Sequence, residues 1–272
     1  MFTATNLKTG LGVFASVLVL SLTAPLANAA AIHDAAQFTT NFPGNDDGST
    51  GLVSTGFNFN FFGITRSSLF VNNNGNVTFG VADGTFTPSS ITGASAARLA
   101  PFFADVDTRT GATVTYGTGT IGGRNVFGVN WINVGYFSQQ TNRTNSFQLI
   151  ITDRSDIAAG DFDFEFNYDR ILWETGGASG GTNGFGGTSA VAAWTSGTGT
   201  FFQFPGSLVN GALLDGGPNA LISGSLNSNT AGQYIFRVRN GQVGNNVPEP
   251  ASLALLGLGL AGLAFARKRK SA

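Results

Sequence analysis

Two stretches of this 272-residue chain carry acidic side chains at spacings that can do chemistry. Asp105-x-Asp107-x-Arg109-x-Gly111 opens like a calcium loop, in which oxygen ligands come from alternate positions of a turn. It departs from that pattern at the fifth position, Arg109 in place of Asp or Asn, and at the twelfth, Tyr116 in place of Glu. An EF-hand is therefore excluded. Two readings remain. In the preferred one, Arg109 pairs with Asp105 or Asp107 at a strand end and the turn is purely structural. In the other, Asp46 or Asp47 joins them in a Ca²⁺ site of another kind. No metal site is assigned, and Ca²⁺ is the single cofactor left open, with Asp105 and Asp107 its candidates.

The second stretch is Asp161, Asp163 and Glu165, which alternate with Phe162, Phe164 and Phe166. Alternation puts the three acids on one strand face, ~7 Å apart. Carboxylate pairs can cleave glycosides, but acids opposite a row of rings read more simply as a solvated face. Three further patterns carry less. Gly117-x-Gly119-x-x-Gly122 lacks the following helix that a dinucleotide site needs, and reads as a hairpin turn. Gly177-x-Ser179-x-Gly181 sits in a glycine-rich loop rather than a strand-turn-helix elbow, and the chain's one His is the distant His33. Trp131, Tyr168, Trp173 and Trp194 could stack on sugars, although strand aromatics are more often core. No catalytic residue is assigned, and the chain reads as non-enzymatic.

The elements that must position these residues are strands. Phe, at 25 residues, suits pleated half-buried surfaces, and Gly, at 39, supplies turns. Phe57 to Phe61 alternates Phe with Asn. Leu69 to Val71 and Val77 to Phe79 flank Asn72-Asn73-Asn74-Gly75-Asn76, a hairpin with Asn-Gly at its turn. Thr113 to Tyr116 and Asn125 to Val134 form a second hairpin, the latter arm a central strand. Ser146 to Thr152 pairs with Phe162 to Tyr168. Ala190 to Trp194, Phe201 to Phe204 and Gln233 to Val238 complete the set. With no helical period before Ser252, the prediction is an all-β, antiparallel β-sandwich ectodomain.

Both ends differ from this middle. Lys8, the apolar Leu11 to Leu22 and Ala27-Asn28-Ala29 make up a signal peptide over residues 1–29, cut after Ala29. At the other end, Val247-Pro248-Glu249-Pro250 precedes an uncharged apolar run, Ala251 to Ala266, and then Arg267-Lys268-Arg269-Lys270. As a helix that run spans ~24 Å. It is a single transmembrane helix if Arg and Lys stems and local thinning make up the difference from the ~30 Å hydrocarbon core. The basic cluster belongs on the cytoplasmic side. Between Ala30 and Val247 lie nine arginines, no lysine and fourteen acids, a net of −5 that repels phosphate backbones and leaves no role for nucleic acid. There is no Cys, so stability rests on burial rather than disulfides.

The tripartite end resembles the PEP-CTERM sorting signal of Gram-negative bacteria. That resemblance implies an exosortase substrate cut near Pro248-Glu249-Pro250. From Leu99 to about Ser207 the chain resembles the nidogen-like (NIDO) extracellular domain. The pieces that carry it are Ala100 to Arg109 (APFFADVDTR), Val114 to Tyr116 (VTY), Phe127 to Trp131 (FGVNW), Asn145 to Asp153 (NSFQLIITD), Phe164 to Gly176 (FEFNYDRILWETG), Ala190 to Trp194 (AVAAW) and Phe204 to Ser207 (FPGS). Phe103 departs from the family's usual Trp, and a Gly-Ala-Ser-Gly-Gly insertion follows Trp173. The family implies an extracellular, non-catalytic module of adhesion and matrix proteins, with no ligand residues to carry over.

The division expected is a signal peptide over 1–29, an N-terminal β region over 30–98 packing on a NIDO-like domain over 99–240, a linker over 241–246, and the sorting signal over 247–272. The function expected is a secreted or surface-associated structural or adhesive protein of an exopolysaccharide or biofilm matrix. A carbohydrate-binding module is the alternative, with a glycosidase behind it. Expected partners are the Sec translocon and signal peptidase, an exosortase, extracellular polysaccharide or matrix proteins, and transiently the inner membrane. The precursor is held in that membrane with a periplasmic ectodomain before it reaches the cell surface or the medium.

Overall fold

The computed structural model describes residues 31–244. The expected signal segment with Ala27 and Ala29, and the tail with Pro248, Glu249, Pro250 and Arg267 to Lys270, lie outside the described residues. So does the expected membrane helix. Among the described residues no helix is long and apolar enough to cross a membrane. Apart from three short 3₁₀ turns the described chain is strand and loop, all-β as expected.

In chain order the strands are β1 (Thr40–Phe42), β2 (Val53–Phe61), β3 (Ile64–Asn72), β4 (Asn76–Thr78), β5 (Arg98–Phe103), β6 (Val106–Asp107) and β7 (Val114–Ile121). Then follow β8 (Arg124–Tyr136), β9 (Gln140–Asp153), β10 (Phe162–Arg170), β11 (Val191–Thr195), β12 (Phe201–Gln203), β13 (Gln233–Arg239) and β14 (Gln242–Val243). They build two antiparallel sheets. The first has the order β1-β7-β8-β9-β10-β13-β14, with β6 paired to β8; the second runs β12-β11-β5-β4-β3-β2. β1 pairs with β7 and β4 with β5, so strands from both sides of residue 98 share both sheets.

Period-2 alternation decides which face turns inward. On β10, Phe162, Phe164 and Phe166 are fully buried. Phe164 lies opposite Ile151 on β9 and Phe236 on β13, and its ring stacks on Phe236 at 4.8 Å between centroids. The two sheets meet through these rings. Phe59 of β2 approaches Phe162 at 4.9 Å, and Phe102 of β5 approaches Phe147 of β9 at 5.4 Å. One apolar cluster runs through both inner faces. Trp131, Trp173, Phe102 and Phe164 all lie inside it, fully buried.

The outer face of the first sheet is also covered. Phe38, brought from the N-terminal segment, packs on Val126 and Ile150. Its ring occupies the place of a side chain at Gly128: a Cβ there would lie 2.3 Å from the Phe38 ring. Beside it a polar row crosses the strands. Gln148 donates to Asn130 (2.8 Å) and accepts from the His33 backbone N–H (3.0 Å). Gln148 thus has partners on both sides, from the next strand and from residues 31–38.

One hairpin expectation holds and two other sequence expectations change. The Asn72–Asn76 hairpin forms, with Val71 opposite Val77, and Gly75 takes the left-handed backbone at φ 72°. Gly117 and Gly119, expected in a turn, lie inside β7; the turn itself is Gly122-Gly123, with φ of 55° and 77°, closing Ile121 onto Arg124. Gly119 is small because Phe38 and Gln37 press on it, the ring 3.0 Å from where a Cβ would stand. The expected linker over 241–246 is partly structured: Gln242 and Val243 form β14, and the Gly241 carbonyl accepts from the Phe62 N–H at 2.8 Å.

Candidate functional site

Three segments converge at one end of the first sheet: residues 45–48, the loop 73–74 between β3 and β4, and residues 105–109 around β6. Backbone and amide groups tie them together. The Thr108 N–H donates to the Asn45 carbonyl (2.8 Å), and the Asn73 N–H to the Gly48 carbonyl (2.9 Å). The Asn73 side-chain amide donates to the Asp46 carbonyl (2.5 Å) and to the Val106 carbonyl. Asn74 accepts from the Val106 N–H through its side-chain oxygen and donates to Asp47 Oδ1, both at 2.9 Å. The loop is itself pinned from below, since the buried Trp131 indole N–H donates to the Asn73 carbonyl at 3.0 Å. Asn73 and Asn74 are both fully buried.

This scaffold gathers acids. One carboxylate oxygen each of Asp46, Asp47 and Asp105 lies within 4.8 Å of the others. Asp107 stands beside them but is otherwise engaged. Arg109 embraces it with Nε on Oδ1 (3.0 Å) and Nη2 on Oδ2 (2.5 Å), and the Gln139 N–H adds a bond to Oδ2 at 2.7 Å. Arg109 also reaches Asp46 Oδ2 at 3.1 Å. It makes no ion pair with Asp105. Asp105 is 1% exposed, and its buried Oδ2 has no hydrogen-bond partner; the buried Oδ1 of Asp46 has none either. Gly176 lies against that carboxylate, where a Cβ would stand 2.2 Å from Asp105 Oδ2.

The electrostatics follow from the imbalance. Burial, followed by the nearby Asp46, Asp47 and Asp107 carboxylates, pushes Asp105 up to about 7. Burial and the Asp107 and Asp47 charges push Asp46 up to about 6, against the pull of Arg109. At Asp107 burial pushes the other way, yet the Arg109 guanidinium and two backbone N–H groups outweigh it and hold the carboxyl below its usual range.

The strand reading had paired Arg109 with Asp105 or Asp107. The structure keeps the second pairing, drops the first, and adds Asp46 and Asp47 to Asp105. The sequence offers Asp46 or Asp47 as a partner only as its second reading, because the Asn73-Asn74 loop that helps hold residues 46, 47 and 106 together is remote from both stretches.

The acids of β10 take a different course from the solvated face expected. Asp161 and Asp163 are 3% and 8% exposed. Arg154 and Arg239 each place a guanidinium nitrogen 2.7 Å from Asp163. Glu165 meets His33 Nε2 at 2.9 Å and accepts from Gln233 at 3.1 Å. Asp161 and Asp163 have arginine partners and Glu165 is held by His33 and Gln233, so no free pair faces a substrate. The aromatic platform is likewise absent: Trp131, Tyr168, Trp173 and Trp194 are at most 6% exposed and belong to the core. Ser179 bonds Thr87 Oγ1 at 2.9 Å, with no His beside it among the described contacts.

Comparison with known proteins adds two matches. The nidogen-like domain model matches residues 67–122 and 118–240, and the PEP-CTERM protein-sorting motif matches residues 246–270. The first match begins ahead of Leu99 and includes the β3–β4 hairpin. Alpha-tectorin of Homo sapiens is 31% identical over 233 residues, covering 74% of this chain and 10% of that protein. Alpha-tectorin of Gallus gallus is 28% identical over 279 residues, covering 93% and 12%. The chain thus spans about a tenth of the length of the curated relatives it matches. No solved structure matches it significantly.

Proposed function

The chain belongs to the nidogen-like domain family, and from that premise we propose that it is a structural or adhesive protein of an extracellular matrix, exported and released by exosortase processing. One observation carries this reading: a nidogen-like domain and a PEP-CTERM protein-sorting motif occupy one chain, the motif directly after the domain. Together they indicate an exported or surface-sorted protein, and the motif implies exosortase processing. The matrix role, in an exopolysaccharide or biofilm setting, is the finer step. Burial of the aromatic residues and the partners met by the β10 acids support a module that acts by presenting surface rather than by turning over substrate.

In this proposal each part of the tail has its own task. Pro248 and Pro250 hold the sequence around Glu249 extended, the shape in which proteases bind a chain. The apolar run keeps that site at a fixed depth, and Arg267 to Lys270 stop the segment from being drawn through. Intact-mass spectrometry of the full chain, expressed in cells with an exosortase, tests the reading. The matrix fraction should hold a form running from about Ala30 to a residue near Val247–Ala251. Changing Pro248-Glu249-Pro250 to alanines should leave unprocessed protein in the inner membrane. An extracellular form that retains Leu253 to Lys270 would overturn the proposal.

A further inference from the structure

We propose that Asp46, Asp47 and Asp105 form a calcium site that joins the 45–48 segment to β6. Three observations carry it. The adjacent Asp46 and Asp47 and the sequence-distant Asp105 place carboxylate oxygens within 4.8 Å of one another. Asp105 is 1% exposed, is one of the three, and leaves a buried oxygen without any hydrogen-bond partner. Gly176 is what lets this side chain be buried here: the carboxylate packs directly against its backbone, and any Cβ would stand 2.2 Å from Oδ2.

A buried carboxylate without a donor is costly, and natural structures rarely leave one unanswered. Among the described residues, the one guanidinium paired with these acids is committed to Asp107 and Asp46. Four carboxylates around one guanidinium leave an excess of about three negative charges when all are ionised, which a divalent ion would reduce to about one. The donor set decides which ion. It is all oxygen, with no His or Cys, which selects a hard cation over zinc or copper. Asp46 and Asp47 lie on a loop and Asp47 is exposed, so the site can adjust to the 6–8 oxygens and irregular geometry that Ca²⁺ accepts. Mg²⁺ demands a near-ideal octahedron and gives up water reluctantly. Water completes the shell.

The β10 acids are the internal contrast. Asp163 Oδ1 also lacks an aligned hydrogen bond, but an arginine nitrogen stands 2.7 Å from each of its oxygens, so its charge is answered without an ion.

The test uses the full chain in detergent, stripped of metal and titrated with CaCl₂ or MgCl₂ by calorimetry, with thermal melting in parallel. One Ca²⁺ should bind per chain, in the ~10⁻⁴–10⁻³ M range of extracellular modules. About 10 mM Ca²⁺ should raise the melting temperature by several degrees. Asp105→Asn should remove both responses. Asp47→Asn, at an exposed position where the amide oxygen can still accept from Asn74, should weaken binding at least tenfold and guards against a folding defect in the first variant. Asp169→Asn, an exposed acid at the far end of β10, should change neither. No Ca²⁺-dependent shift in the wild type, or an undiminished shift in Asp105→Asn and Asp47→Asn, would overturn the site. An equal response to Mg²⁺ would overturn the assignment to calcium.

Discussion

Two groups of carboxylates stand in this molecule a few strands apart, and they differ in a single respect. The acids of β10 sit in a row whose partners come from the neighbouring strands: Arg239 from β13, Arg154 from just past β9, His33 and Gln233 around Glu165. The acids at the 46–47 and 105 convergence have one shared arginine, and it is spent on Asp107 and Asp46. Carboxylates each met by a partner make β10 a structural strand. Unbalanced charge makes the convergence a site. Residue type is the same in both; the supply of cations distinguishes them.

The comparison can be broken first on β10, where both faces do structural work. Phe164→Ala removes a ring held by Phe236, Phe166 and Trp194, and should cost ~3–5 kcal/mol in denaturant melts. A loss below ~1 kcal/mol would mean that this ring is not the centre of the core. On the opposite face, Asp163→Ala leaves Arg154 and Arg239 without their shared partner. Because those guanidiniums remain partly in water, a loss of about 1–3 kcal/mol is expected, below the figure for a fully buried pair. If Asp163→Ala is neutral, the row is solvated after all and the contrast with Asp105 collapses.

Asp105 should then give the opposite sign. In chelator near pH 8, Asp105→Asn removes a charge repelled by three others and should stabilise the chain by about 1–2 kcal/mol, after the cost of a buried amide is subtracted. The pH profile sharpens this. Asp105 at about 7 and Asp46 at about 6 are raised above the ordinary carboxylate value. The folded chain therefore holds protons that the unfolded chain has released. Their contribution is complete below ~pH 4 and disappears as pH rises through about 6 and 7. Comparing metal-free wild type with Asp105→Asn over ~pH 4–8 isolates it: the wild type should lose more stability on the way up. Parallel profiles would show that Asp105 is not the strained group.

What could be read from residues alone follows from the range of the interactions involved. The alternation of Phe and acid on β10 is local, so the strand and its inward face were legible, as were the β3–β4 and β7–β8 hairpins. The burial of Asp161 and Asp163 depends on Arg154 and Arg239, which meet them only once strands pair, and local polarity therefore pointed to solvent. The Gly117-x-Gly119 pair looks like a turn because nothing nearby says that Phe38 needs the room. The acidic site was half visible. Asp105 and Asp107 stood out through their spacing, but which of the two is spare depends on Arg109 and on Asp46, placed by an asparagine loop.

The lead-in to the tail has a mechanical consequence. β14 is two residues long and lies antiparallel to β13, so tension applied at residue 244 peels the pair apart one bond at a time rather than shearing all of it together. Peeling soon meets a stop. The bond from the Phe62 N–H to the Gly241 carbonyl ties this end to the β2–β3 turn of the other sheet, and Gly241 nestles against Asn60 with no room for a side chain. A pull on the C-terminal end is therefore divided between the two sheets before β13 is disturbed. The domain would yield its last few residues as slack under light force, and resist with both layers afterwards.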